Sequence, residues 1–168
     1  VALSITTIAA GLKLGEVRAR AAQISSDYRA GRPSSGAVVS ETDIAAYLIA
    51  RLPATYAAVA AALAELQRLR PGFSPDSLLD VGCGPGTASL AALDRFGRLS
   101  VVTALDHGAG FLGTAERLLG LSGLACGVEA RFLRADFRAL PEVRADLVIL
   151  AYGLVEVAEG DAEAIARA

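Results

Sequence analysis

The chain has no methionine and no tryptophan, one histidine, two cysteines and one lysine among its 168 residues. Each shortage narrows the chemistry. Cys83 and Cys126 are isolated from each other, so no disulfide framework is expected, and a cytoplasmic location follows as the expectation. With only His107 to join them, they make no zinc site of ordinary spacing. The missing methionine implies that Val1 is not a native start. Val1 to Leu14 lacks a basic stretch followed by a clean apolar core, so no signal peptide is expected. The longest apolar helical run, Ala54 to Ala64, is short and alanine-rich, and no membrane partner is expected from it. Excess charge is lacking too: a net charge of −2 carries no global nucleic-acid signature.

Apolar residues are plentiful, at 54% with a mean hydropathy of +0.47, so the chain can bury a core. Much of this is alanine, which suits tightly packed helices. The charge is unevenly divided. Residues 1–75 carry 8 basic and 5 acidic groups, and residues 76–168 carry 8 and 13. The basic tilt of the first half favours an anionic partner there, although a solvated helix surface explains it as well.

Periodicity divides the chain in two. In residues 15–30, Val17, Ala21, Ile24 and Tyr28 share one helical face. Residues 31–37 (GRPSSGA) form turns. Ser40 and Asp43 have the spacing of a capping box, which starts a helix over Glu41–Leu52 that buries Ile44, Tyr47 and Leu48. Pro53 is expected to stop that helix and open another over Ala54–Arg70. Residues 1–70 thus read as a helical unit, followed by a linker, PGFSPDS. Beyond it, strands at 78–81, 99–105, 129–133 and 145–152 alternate with helices at 87–96 and 109–119. That alternation predicts an α/β, Rossmann-like parallel sheet over residues 71–168, with ligands beyond the carboxyl ends of its strands.

The densest signal lies at the first of those ends: Asp80-Val-Gly82-Cys83-Gly84-Pro-Gly86-Thr87. Glycines let the backbone turn sharply and approach a ligand closely, and the helix that follows offers its free N–H groups. A dinucleotide fingerprint counted from Gly82 needs glycine at 87, where threonine stands. The order acidic-x-G-x-G-x-G instead resembles motif I of the class I S-adenosylmethionine-dependent methyltransferases. Asp106, 24 residues after Gly82, closes the second strand, where a carboxylate can accept two ribose hydroxyls. An ordinary strand-end acid is the plainer reading. His107 follows, placed either near the adenine or simply on an exposed loop. The resemblance implies that Asp136 accepts from the adenine amino group and that Phe137 lies near the ring; a helix cap is the alternative for Asp136. It also implies that the end of the fourth strand, at Tyr152, faces the transferred methyl group. S-adenosylmethionine is therefore the expected cofactor, with Asp80, Gly82, Cys83, Gly84, Gly86, Thr87, Asp106, His107, Asp136, Phe137 and Tyr152 around it.

The acceptor is harder to read. Ala151-Tyr152-Gly153-Leu154 does not match the Asn/Asp-Pro-Pro-aromatic motif used on exocyclic amines of bases. Neither cysteine is placed as the nucleophile that methylation of a pyrimidine carbon needs. No catalytic base is assigned.

A second resemblance extends over residues 24–156. Ser26-x-Tyr28-Arg29, Ala46-Tyr47-Leu48, Arg51-Leu52-Pro53-Ala54-Thr55-Tyr56-Ala57, Pro75-x-Ser77-Leu78-Leu79-Asp80 and Ala151-Tyr152-x-Leu154-x-Glu156 together resemble the mitochondrial small-ribosomal-subunit methyltransferase-like family and its bacterial relatives. Leu52 stands where that family commonly has methionine. The resemblance implies a small ribosomal subunit or ribosomal-RNA partner. It also implies an iron–sulfur-binding, cysteine-rich region, which two cysteines cannot supply. A non-catalytic, cofactor-binding assembly factor and a small-molecule methyltransferase are the competing functions.

A class I sheet normally has seven strands, and only four are legible. The domain is expected to be truncated after the fourth strand. Self-association is then expected through the apolar Asp146–Tyr152 edge.

Overall fold

The computed structural model describes residues 6–30, 40–136 and 142–152. Its elements are α1 (Leu14–Arg29), α2 (Glu41–Leu69), β1 (Ser77–Val81), α3 (Thr87–Arg95), β2 (Val101–Asp106), α4 (Ala109–Ser122), β3 (Glu129–Arg134) and β4 (Leu147–Ile149). The turn expected at 31–37 lies outside the described residues, as do Phe137 and the stretch from Gly153 onward.

The chain forms two compact units, Val1–Ala54 and Thr55–Ala168. In the first, Val17, Ala21 and Ile24 of α1 meet Ala45 and Ala46 of α2 in a buried cluster, as the helical period of α1 predicts. Leu48 is fully buried, while Ile44 and Tyr47 are only half-buried. The capping box is present in both directions. The Asp43 N–H donates to Ser40 Oγ at 3.1 Å, and the Ser40 N–H donates to Asp43 Oδ2 at 3.0 Å. The other oxygen of Asp43 accepts from Arg20 Nε, which ties α1 to the start of α2.

Pro53 does not end a helix. One continuous helix runs from Glu41 to Leu69 with Pro53 inside it. Proline removes the N–H that would bond the carbonyl four residues earlier, at Ile49. Ile49 and Pro53 are both exposed, so water can solvate the freed carbonyl. The unit boundary falls just beyond Pro53, within α2, and not at the 71–77 turn that composition suggests. The reason is packing. Tyr56 Oη donates to Asp94 of α3 at 2.7 Å, and Val59 and Leu63 are buried. The second half of α2 thus serves the sheet-bearing unit. Unbroken, α2 is also long and apolar enough to cross a membrane by length and composition, which the shorter 54–64 run is not. Leu48, Leu52, Val59 and Leu63 of this helix are buried in protein, while Ile49 and Leu69 are exposed.

The second unit holds a parallel sheet in the order β3-β2-β1-β4. From β1 the chain winds outward through β2 to β3, then returns to place β4 on the other side of β1. Strand order therefore reverses between β1 and β4, and the crevice at their carboxyl ends is the ligand position in folds of this type. Register pairs Asp80 with Ala104 on β2 and with Ile149 on β4. β1 and β2 are central and almost wholly buried, which is why they read as continuous apolar runs. At the amino end, Asp146 Oδ2 accepts from the N–H groups of Asp76 and Ser77, each at 3.0 Å, and from Ser77 Oγ at 2.8 Å. These bonds fasten β4 to β1 and hold the Asp146 carboxyl below the usual carboxylate range.

Candidate functional site

The glycine-rich turn leaves β1 at Val81, just after Asp80, and enters α3 at Thr87. Gly82, Gly84 and Gly86 have φ of 63°, 52° and 78°, a left-handed conformation that side chains resist. The three glycines do different work. A Cβ on Gly84 would meet nothing within 4 Å, so that position keeps open space beside the backbone. A Cβ on Gly86 would stand 3.0 Å from Leu119 Cδ1 and 3.1 Å from Ala115 Cβ, so Gly86 lets α4 pack against the turn. The turn is tied to β2 by the Cys83 N–H, which donates to the Leu105 carbonyl at 2.9 Å.

Two carboxylates organise this end of the sheet. Asp106, at the end of β2, is 6% exposed. Its Oδ2 accepts from the Gly84 N–H at 2.8 Å and its Oδ1 from the Gly108 N–H at 2.7 Å. It thus fixes both the glycine turn and the start of α4. Each carboxylate oxygen has a second lone pair, so these bonds leave acceptor capacity for hydroxyl donors.

Asp80 is fully buried. Its Oδ2 accepts from Ser89 twice, from the N–H at 2.9 Å and from Oγ at 2.6 Å. Those bonds cap α3, whose N-cap, Gly86, has no side chain to do so. The other oxygen, Oδ1, has no partner among the described residues. Burial pushes the Asp80 carboxyl up to about 6; the Ser89 bonds oppose the rise and the Asp106 charge adds to it. Ser89 is a site residue that sequence reasoning misses. Its signal is a hydroxyl in the first turn of the helix after an acidic strand end.

Cys83 is buried within the turn, and its thiol donates to the Gly84 carbonyl at 3.3 Å. Burial, then the nearby Asp80 and Asp106 charges, push its pKa up, so it stays a neutral thiol and is no nucleophile. His107 is exposed, with Nδ1 3.5 Å from Asp106 Oδ1, and its carbonyl accepts from Arg134 Nε at 3.2 Å. Asp136 is exposed two residues beyond β3. The neighbouring Ala135 N–H donates to the Asp106 carbonyl at 3.1 Å, which brings the end of β3 against that of β2. Phe137 lies outside the described residues. Tyr152 follows β4 with φ of 65°, the one described non-glycine residue with positive φ. It lines an apolar cleft of ≈ 400 Å³ with Ala58, Leu63 and Leu66 of α2 and Leu147–Ala151. Among the described residues, no group of three or more His, Cys, Asp or Glu side chains could hold a metal ion. The two cysteines, one buried and one exposed, do not fit an iron–sulfur cluster.

Asp106 is thus bonded to the glycine turn, and Asp80 and Asp106 stand near the carboxyl ends of paired strands. The family described as mitochondrial small ribosomal subunit Rsm22 matches residues 41–168. The chain belongs to this family. It is 34% identical over 115 residues to the mitochondrial ribosome assembly protein METTL17 of Homo sapiens. That match covers 66% of this chain and 25% of the human protein, so the chain spans about a quarter of its relative. Among solved structures it resembles an S-adenosyl-L-methionine-dependent methyltransferase of Methanococcus maripaludis at a TM-score of 0.52 and 21% identity, over 67% of this chain and 51% of that one. It also resembles the plantazolicin methyltransferase BpumL, solved with S-adenosylhomocysteine, at 0.55 and 16%, over 90% and 55%. At these identities the likeness establishes the fold. This Rsm22-family chain has the Rossmann-like fold of the class I methyltransferases.

Proposed function

We propose that this chain is the S-adenosylmethionine-binding part of a methyltransferase-like protein that acts with the small ribosomal subunit or its RNA. The observation that carries the reading is the left-handed glycine turn, bonded to Asp106 through Gly84 and following Asp80, at the carboxyl ends of β1 and β2 in a chain of a ribosomal family. The residues fit the cofactor. Open space beside Gly84 admits it, Asp106 has lone pairs left for the ribose hydroxyls, and Asp80 places negative charge near a cation. The bound cofactor would supply a methyl group on a sulfonium centre. The protein's part is then to bind, orient and exclude water. Asp136, His107 and Tyr152, at or beyond three strand ends, belong to the same proposal.

A second reading has its own support. The human relative is named as an assembly protein, and the end of β4 carries no recognisable acceptor motif. In that reading the site is kept for cofactor-dependent folding or docking, and nothing is transferred. Calorimetric titration with S-adenosylmethionine, with NAD as control, tests the cofactor. Micromolar binding of the first alone is expected. Asp106→Ala should weaken it by about 2–3 kcal/mol, through loss of buried acceptors and of the Gly84 anchor. Methyl transfer to purified small subunits then separates the enzyme from the assembly factor.

A further inference from the structure

Asp80 plays a part beyond capping α3. Its burial is complete and one of its oxygens finds no donor among the described residues. Such an oxygen is costly to leave ionised, because water cannot reach it and no proton donor replaces water. The groups around it offer no positive charge. On β2 stands Asp106, a second carboxylate whose charge opposes ionisation of the first. The turn contributes the neutral Cys83 thiol, α3 contributes the Ser89 hydroxyl, and β4 contributes Ile149, its register partner. His107 faces Asp106, not Asp80, from the exposed side, with Nδ1 3.5 Å from Asp106 Oδ1. Two carboxylates therefore stand at the carboxyl ends of adjacent strands, the charge of Asp106 raising the cost of ionising Asp80, with no resident counter-charge among the described residues.

We propose that Asp80 couples ligand affinity to pH: its carboxyl carries a proton in the ligand-free domain in mildly acidic solution, and a cationic ligand bound at the open face of the glycine turn displaces that proton to solvent. The inference rests on the cofactor reading, since S-adenosylmethionine is the cation in question. The balance is simple. One proton leaves the carboxyl for the buffer as one positive charge arrives, and no covalent bond to the ligand changes. Burial alone favours the neutral acid; the arriving charge supplies the partner that favours the carboxylate.

The sign follows. The ligand-free carboxyl titrates at about 6, and the bound one lower, so affinity is full above that value and falls with acid. Between about pH 7 and about pH 5, binding of S-adenosylmethionine should weaken by about tenfold. Calorimetry in two buffers of different ionisation enthalpy should show net proton release at the lower pH. Asp80→Asn keeps an acceptor for Ser89 and should make affinity nearly independent of pH over this range. His107→Gln should leave the dependence in place. Carbon-detected NMR of the ligand-free chain supplies a reading that needs no ligand: one aspartate carboxyl, absent in Asp80→Asn, should titrate near 6. Binding that is flat with pH overturns the linkage and leaves the cofactor reading standing. So does an Asp80→Asn variant with the wild-type slope, or an Asp80 carboxyl that titrates as an ordinary aspartate. No binding of S-adenosylmethionine at either pH overturns both.

Discussion

Glycines that look alike in DVGCGPG separate by what a methyl group would strike. Gly84→Ala should cost about 1–2 kcal/mol, the strain of a left-handed conformation, while placing a methyl in the ligand's space. Gly86→Ala should cost more, about 2–4 kcal/mol, because the same strain is joined by overpacking against Ala115 and Leu119. Urea unfolding should therefore rank Gly86→Ala below Gly84→Ala in stability. Binding by the folded fraction should rank them the other way. Equal losses of stability would show that the turn does not pack as described. Asp80 has its own signature. Its folded value of about 6 lies above the unfolded 3.8, so the native chain holds a proton that the unfolded chain releases. That contribution is complete below the unfolded value and is lost as pH rises through the folded one. It amounts to about 3 kcal/mol. Asp146 works in the opposite direction, its contribution being lost as pH falls. The informative quantity is thus the difference between wild type and Asp80→Asn, which should grow in the variant's favour from about pH 4 to about pH 7.

At the scale of the element, local signals were legible and remote ones were not. The Ser40–Asp43 spacing specifies a capping box because both partners lie within one turn, and the box formed. Alternation of apolar runs with helical periods marked all four strands, with β4 shorter than its apolar run because only Leu147–Ile149 pair with β1. Pro53 misled, because the rule that proline ends a helix describes a cost and not a prohibition. Packing on both sides of Pro53 outweighs the loss of one hydrogen bond. Since the ring is exposed and contributes little to either core, Pro53→Ala should restore the bond from residue 53 to the Ile49 carbonyl and stabilise the chain by about 1–3 kcal/mol. Thermal unfolding followed by circular dichroism checks this. A lower midpoint would mean that the proline conformation is itself required by the packing on either side.

For the whole molecule, topology accounts for what the sequence hid at the site. The Asp106 bond to Gly84 and the burial of Asp80 depend on β2 lying beside β1 in one register, a relation between segments that no single stretch encodes. The ends of β1, β2 and β4 were legible, since each is an apolar run closing near a polar or aromatic residue. The same topology leaves β4 at one edge of the described sheet. Val148 on that strand is 57% exposed, and the apolar cleft lined by Ala58, Leu66 and Tyr152 runs alongside. Unpaired strand backbone next to exposed apolar surface invites pairing with another chain. The chain alone should therefore self-associate at micromolar concentration, and sedimentation velocity should show species heavier than the 17.2 kDa monomer. Val148→Lys places a charge on the exposed face of the edge without entering the core, and should return the protein to monomer while the strands stay formed. A wild-type chain that sediments as a monomer at tens of micromolar would show that the edge is covered within the chain itself.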